Sequence, residues 1–185
     1  PELDIKTSVW SLGEKQPMTL SAEYYSGGAA SGLKGEISTF VRTTNIFEGD
    51  QFADFTFGNS ENVEVTAIGD VMTATLNAEG QMTTTLLSEY EADPSRLYEV
   101  LVDGTVFDVG GRANKTSEII PLDTTAAYVG VRARFNSYVD EGIAPSFDVV
   151  NLDRSGSLVG LDDVTYSVNR IYYRYNWSYD DGWRW

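Results

Sequence analysis

Three pairs of neighbouring carboxylates, Asp140-Glu141, Asp162-Asp163 and Asp180-Asp181, are the first place to look for chemistry. Two carboxylates can hydrolyse a glycosidic bond when they face each other across a cleft about 5 to 9.5 Å wide. Sequence neighbours on a strand point to opposite faces. All three pairs also fall where the sequence predicts turns, and Asp is favoured there for its local hydrogen bonds. They read as turn residues, so no acid pair is expected. Calcium would draw on the same side chains in a D-x-[DN]-x-[DN]-G loop, and the chain has none. A Ser-Lys nucleophile needs a buried lysine. Lys6, Lys15, Lys34 and Lys115 all fall at turns or polar strand positions. The glycine-rich stretch at residues 27–32 lacks the Lys and Ser or Thr of a phosphate-cradling loop.

The chain has no Cys and no His. Thiol-imidazole and serine-histidine machinery is therefore excluded, as is an ordinary zinc site. No disulfide can form, so cysteine use does not fix a compartment. Twenty-eight acidic residues against 13 basic ones give a net charge of −15. Nucleic acid binding, which depends on Lys and Arg neutralising phosphates, is disfavoured, and so are anionic membrane surfaces. No apolar run is long enough to span a bilayer, and no signal peptide is visible. Pro1 in place of Met, and Trp185 in mid-strand, predict a piece of a longer protein. No cofactor is expected and no enzymatic activity is predicted.

Binding is the remaining chemistry, and it would use aromatic surface. Val164 to Trp185 holds eight of the chain's 23 Phe, Tyr and Trp residues. β-Branched and aromatic residues suit a pleated, half-buried surface, so the stretch predicts one long strand, a tight turn and a returning strand. A three-residue loop, Asp180-Asp181-Gly182, would face Tyr179 with Trp183 and Trp177 with Trp185. Aromatic cross-strand pairs favour it by up to about 1 kcal/mol each. Tyr173, Tyr175, Trp177, Tyr179, Trp183 and Trp185 form the candidate interaction surface. It reads first as a hairpin packed on a neighbouring sheet or domain, and second as a platform for a sugar or peptide. Arg170 and Arg174 flank the Tyr pair, where they pair with acids or stack on rings. The two halves of the strand change parity, which predicts a bulge or sharp twist at Asn169-Arg170.

The elements that would position these residues are strands. Leu3 to Val9 alternates as a half-buried strand, Gly13 to Pro17 is a turn, and Met18 to Tyr24 and Leu33 to Val41 alternate again. Thr43 to Asn62 is the least regular segment, and its Phe47, Phe52, Phe55 and Phe57 are expected to anchor a loop or short helix onto the core. Further strands are expected at Val63 to Ala67, Val71 to Leu76, Met82 to Leu86, Leu97 to Phe107 and Lys115 to Ile120, with a hairpin turn at Gly110-Gly111. About seven strands with closely spaced turns and no long helical pattern argue a β-sandwich.

After Pro121 to Ala126 the pattern restarts. Strands follow at Val129 and Val131 and from Ile143 to Val149, with turns at Glu141-Gly142 and from Asp153 to Ser157. Gly160-Leu161 before Val164 echoes Gly32-Leu33 before Ile37, and Phe147 and Val149 echo Leu20 and Ala22. The echo predicts tandem modules of one type, 1–122 and 126–185. A seven-stranded sandwich takes roughly 100 residues, so the second is expected to be incomplete and to leave a free edge. Such edges recruit other strands. Self-association through the C-terminal hairpin, and first proteolytic nicking near Pro121 to Ala127, are the corresponding expectations.

Five stretches together resemble one family. LSAEYYSGGAASGLKGEIS, LNAEGQMTTTL and VDGTVFDVGGRANKTS are similar, in order, to a strand-loop-strand, a turn and a Gly-Gly-Arg hairpin of bacterial alpha-2-macroglobulins. AYVGVRARFNSYVDEGIAPSFDVVNLDRSGSLV and VTYSVNRIYYRYNWSYDDGWRW resemble the next module of the same proteins. The chain departs from the family where residues 26–29 lack the usual proline and where Asn176 replaces a glutamine. The resemblance implies all-β, tandem macroglobulin or fibronectin-III-like antiparallel sandwiches. It implies a non-catalytic scaffold of a protease trap in the periplasm or cell envelope of a Gram-negative bacterium. Proteases would be its partners through the full-length protein, the second module would lie near the bait region, and neighbouring macroglobulin modules would flank it. The family's thioester needs a Cys, so none can lie in this chain. The alternative function is a carbohydrate-binding or adhesin-type sandwich module of a secreted protein.

Overall fold

Alternation decides two of the three 11-residue strands of this computed structural model, which describes residues 1–5, 8–47, 50–59, 64–87, 89–160, 164–169, 172, 178–179 and 183–184. In Lys34–Thr44 the residues Gly35, Ile37, Thr39, Val41 and Thr43 are buried while their neighbours are not. In Leu97–Phe107 the even positions from Tyr98 to Val106 are buried. Side chains of period two can satisfy one apolar face only as a strand.

The strands in chain order are β1 (Glu2–Ile5), β2 (Trp10–Ser11), β3 (Lys15–Ser21), β4 (Lys34–Thr44), β5 (Thr56–Phe57), β6 (Val65–Ala67), β7 (Met72–Thr75) and β8 (Gln81–Leu87). They continue as β9 (Leu97–Phe107), β10 (Ala113–Asp123), β11 (Tyr128–Ala133), β12 (Phe147–Leu152), β13 (Ser178–Tyr179) and β14 (Trp183–Arg184). The helical element among the described residues is a short 3₁₀ turn, Asp50–Phe52.

One sheet runs β1-β3-β8 and a second runs β2-β10-β9-β4-β6, with β7 also on β4. β4 and β9 pair antiparallel from Lys34↔Phe107 to Thr44↔Leu97. β9 and β10 pair from Ala113↔Phe107 to Leu122↔Tyr98. Between these sheets lies a core that includes Trp10, Met18, Leu20, Ile37, Val41, Val100, Val102 and Leu122. The sheets close tightly at Gly35, where a Cβ would sit 2.6 Å from Met82 Sδ. Thr39 keeps its hydroxyl satisfied inside this core by donating to the Ile68 carbonyl at 2.9 Å.

A third sheet, β12-β11-β5, is built from two distant parts of the chain. β11 and β12 form an antiparallel pair from Tyr128↔Leu152 to Ala133↔Phe147. The strand on the other side of β11 is β5, with Gly130↔Phe57 and Val131↔Thr56 in register. Its apolar face is a second core of Phe47, Phe52, Phe55, Phe57, Leu97, Tyr128 and Leu152. The four phenylalanines do anchor the irregular segment, through a 3₁₀ turn and a short strand, but onto β11 and β12 rather than onto the first core.

Several expectations change. The alternation from Leu3 to Val9 is not one strand. β1 ends at Ile5, and the chain re-enters as β2 in the other sheet, parallel to β10 through Leu122↔Trp10. β3 starts at Lys15, inside the stretch read as a turn, because Pro17 and its neighbours pair with β8. The long aromatic strand does not form over Val164–Asn169, which carries no ladder and is exposed. Alternation fits a residue to a sheet surface, but a strand also needs a free edge to bond to. The outer edge of β12 is taken by the chain that follows its turn, through the Leu152↔Leu158 bridge and the Val159 N–H donating to the Asn151 carbonyl. The third element of the internal echo is therefore absent as a strand. The bulge expected at Asn169-Arg170 reaches beyond the described residues.

Candidate functional site: the junction of the two cores

The side chain that joins the two cores is Arg154. It sits in the turn after β12 and is 5% exposed. The turn is fixed by Asp153, whose carboxylate accepts from the Ser155 hydroxyl at 2.6 Å and the Ser157 N–H at 3.0 Å. Those bonds, the Ser155 hydroxyl first, hold the Asp153 carboxyl below its ordinary pKa. Gly156, at φ +89°, completes the reversal. Arg154 is thereby aimed back at the first sandwich. Its Nη2 donates to the Tyr98 carbonyl at 2.9 Å and its Nε to the Leu122 carbonyl at 3.3 Å. Tyr98 and Leu122 are themselves cross-strand partners of β9 and β10. The guanidinium also lies 5.0 Å from the Phe47 ring centre and 5.8 Å from that of Tyr128. A planar, forked cation can serve two carbonyls and stack on rings at once, which an ammonium cannot.

Tyr128 closes the connection between the halves. Its hydroxyl accepts from the Thr124 N–H at 2.8 Å and the Thr125 N–H at 3.3 Å, and donates to the Asp123 carboxylate at 3.1 Å. The ring packs edge-on against Phe47 at 6.2 Å. Below it, Phe57 lies across Gly130, where a Cβ would fall 2.5 Å from the ring. Leu97, the first residue of β9, is fully buried in this same cluster.

An ion network lines the outer part of the β11–β12 hairpin. Arg132 Nη2 donates to Asp148 at 2.8 Å, and Arg134 Nε to its other oxygen at 2.6 Å. Arg132 also stacks over Phe55 at 4.7 Å. These partners, Arg134 first, pull the Asp148 carboxyl from 3.8 down to about 2. Arg132 and Arg134 are partly exposed, so the network is a local brace on the hairpin.

The residues singled out in the sequence fare differently. Tyr173, Tyr175, Trp177 and Trp185, with Arg170 and Arg174, lie outside the described residues. Tyr179 and Trp183 are described as backbone: they pair in register, leaving residues 180–182 between them, as the three-residue loop requires. Asp140 and Glu141 sit in an exposed turn closed by the Ile143 N–H on the Asp140 carbonyl. Asp162-Asp163 and Asp180-Asp181 lie outside the described residues. Among the described residues no group of three or more acidic side chains is placed to hold a metal ion. Lys34 pairs with Glu36 and lies 5.2 Å from the Phe107 ring centre, and Lys15 and Lys115 are exposed. The junction was missed because its parts are spread over the chain. One arginine in a polar turn gives no local signal of burial.

Two family models match the chain. One, described as the bacterial alpha-2-macroglobulin MG5 domain, matches residues 2–120, and the other, described as bacterial macroglobulin domain 6, matches 130–185. The alpha-2-macroglobulin of Escherichia coli (strain K12) is 30% identical over 207 residues, covering 93% of this chain and 12% of that protein. That of Xylella fastidiosa (strain Temecula1) is 26% identical over 196 residues, covering 100% of this chain and 11% of that protein. Among solved structures, E. coli alpha-2-macroglobulin activated by porcine elastase superposes with a TM-score of 0.67 at 23% identity, over 84% of this chain and 14% of that one. Salmonella alpha-2-macroglobulin reacted with methylamine gives 0.68 at 18%, over 85% and 11%. The chain thus spans about an eighth of the length of these relatives.

Proposed function

The chain belongs to the bacterial alpha-2-macroglobulin family, and on that premise we propose that it is a non-catalytic scaffold segment of an envelope protease trap. It comprises one macroglobulin module over 1–122 and the start of the next over 126–185. Its task is to carry a change of shape from one module to its neighbour when the full-length protein is cut. The observation that supports this is the junction. Arg154 from one side bonds two adjacent strands of the other, and the Phe47 to Phe57 segment of the first module furnishes the strand and core of the second. A displacement of either module is therefore felt by the other through buried contacts, which behave as discrete packings and not as soft springs.

The test uses the full-length parent protein and elastase. Trapped enzyme should keep cleaving a small peptide substrate and lose access to a large protein substrate. Arg154→Ala should weaken that protection while leaving cutting of the parent unchanged. The 1–185 chain alone should neither hydrolyse peptides or glycans nor bind a sugar array. Turnover by the chain alone, or protection unaffected by Arg154→Ala, would overturn the reading.

A further inference from the structure

One side of β10 is open. Its inner side bonds β9 from Ala113 to Leu122 in a single register, without a bulge. Among the described residues its other side bonds β2 at the far end, through Leu122 and Asp123. From Ala113 to Ile119 no described backbone bond reaches that outer side, and all of these residues except Thr116 are exposed.

Pro121 fixes which groups point outward. It has no N–H, so the Pro121↔Glu99 pair cannot exchange two hydrogen bonds. Alternation along an unbroken ladder then turns Ala113, Lys115, Ser117 and Ile119 outward as well. Each presents an N–H and a C=O, about 6.8 Å from the next. A straight row of unpaired backbone groups is a template for another strand. The other edges are poorer templates. β1, β6 and β7 are strands of three or four residues, and β7 lies against β8. The outer edge of β12 is occupied.

We propose that the open side of β10 takes an added antiparallel strand, an extended segment of the full-length parent from outside residues 1–185. The chain covers 12% of the E. coli relative, so a parent of that length carries many candidate segments. Being tethered, such a segment pairs intramolecularly, and a short row of backbone bonds then suffices. A second copy is opposed by the net charge of −15 that each copy carries. Side chains set the register. Ile119 lies beside Leu101, which faces Phe40, so an apolar residue opposite Ile119 extends an apolar row. Glu118, exposed on the other face, pairs with Lys or Arg. Ser117 already donates to Asp103 at 2.7 Å and sets no demand. Lys115 pairs with Asp or Glu. From its N-terminus the segment therefore reads apolar-basic-x-x-acidic. Strand addition does not depend on protease trapping, so either can fail alone.

The experiment measures amide hydrogen exchange, residue by residue, in the folded full-length parent. The outward amides of Lys115, Ser117 and Ile119 should exchange within about tenfold of those of Thr116 and Glu118, which β9 protects. Ser117→Pro removes an outward N–H and spares the ladder to β9. It should speed exchange at Lys115 and Ile119 by at least about tenfold while Thr116 and Glu118 stay slow. Ser117→Ala, which loses the bond to Asp103 alone, should keep the protection. If the proline variant also frees the β9-bonded amides, Glu118→Lys decides: repelling the basic residue should speed outward exchange by up to about fivefold. A photocrosslinking side chain at Lys115 should join one segment of the same polypeptide, with the stated pattern. Fast exchange at the outward amides of the wild type, or protection unchanged in Ser117→Pro or in Glu118→Lys, would overturn the proposal. So would crosslinks confined to residues 1–185, to a second copy or to another protein.

Discussion

Arg154 and Asp148 make opposite kinds of contribution. Arg154 is buried with its bonds going to backbone carbonyls, so removing it strands acceptors that have no water to turn to. Arg154→Ala should cost about 2 to 4 kcal/mol in urea unfolding. Arg154→Lys should recover only part of that, because one ammonium cannot span both carbonyls. Arg112→Ala, at an exposed turn, should stay within about 0.5 kcal/mol. Asp148 acts through charge on a solvated surface. Its folded pKa, about 2, lies below the ordinary 3.8. Its support is therefore present above that ordinary value and is lost as the pH falls through about 2. The melting temperature of wild type should exceed that of Asp148→Asn at about pH 5, and the two should converge toward pH 2. A gap that widens on acidification would reverse the sign and remove the two-arginine account.

At the scale of elements, two strand glycines separate rigid from forgiving packing. Gly130 faces the Phe57 ring and Gly35 faces the end of Met82. A phenyl ring wedged among Phe47, Phe55 and β11 cannot withdraw, whereas a thioether has rotamers to spare. Gly130→Ala should therefore cost more than Gly35→Ala, with about 1 to 3 kcal/mol expected for the first. Pairing Gly130→Ala with Phe57→Leu should return part of the loss, read as a non-additive double-mutant cycle. The strands themselves were legible wherever one face is buried and the ladder is long. Alternation gave β9 its bounds, Leu97 and Phe107, and Gly110-Gly111 gave its turn. Alternation does not name a partner. It could not show that β2 leaves for the opposite sheet, that Phe57 lies against Gly130, or that Val164–Asn169 finds no edge. The anchoring role of the four phenylalanines was readable from their composition, and their destination was not, since it depends on residues far along the chain.

At the scale of the whole chain, the two halves are joined by a second core that belongs to neither alone. Leu97 starts β9 in the first sandwich and is buried in the second cluster, while Arg154 reaches the opposite way. Calorimetry of the chain should show one transition with matching calorimetric and van't Hoff enthalpies. Arg154→Ala should split or broaden it. Two resolved transitions in the wild type would mean that the shared cluster does not couple the halves. The tandem pattern was visible in the sequence as a restart after Pro121. The junction was not, because a buried arginine, a strand glycine and a phenylalanine-rich insertion carry meaning only once they are brought together.

The third sheet also sets an order of events during synthesis. β5 leaves the ribosome well before β11, and its in-register partner Gly130 follows Phe57 by 130 − 57 = 73 residues. At about 5 to 20 residues per second, the four phenylalanines wait roughly 4 to 15 s for the surface that covers them. A nascent chain halted after β10 should therefore carry a sticky, solvent-facing aromatic loop on an otherwise finished sandwich. It should bind a hydrophobic dye or a holdase chaperone until Leu152 emerges.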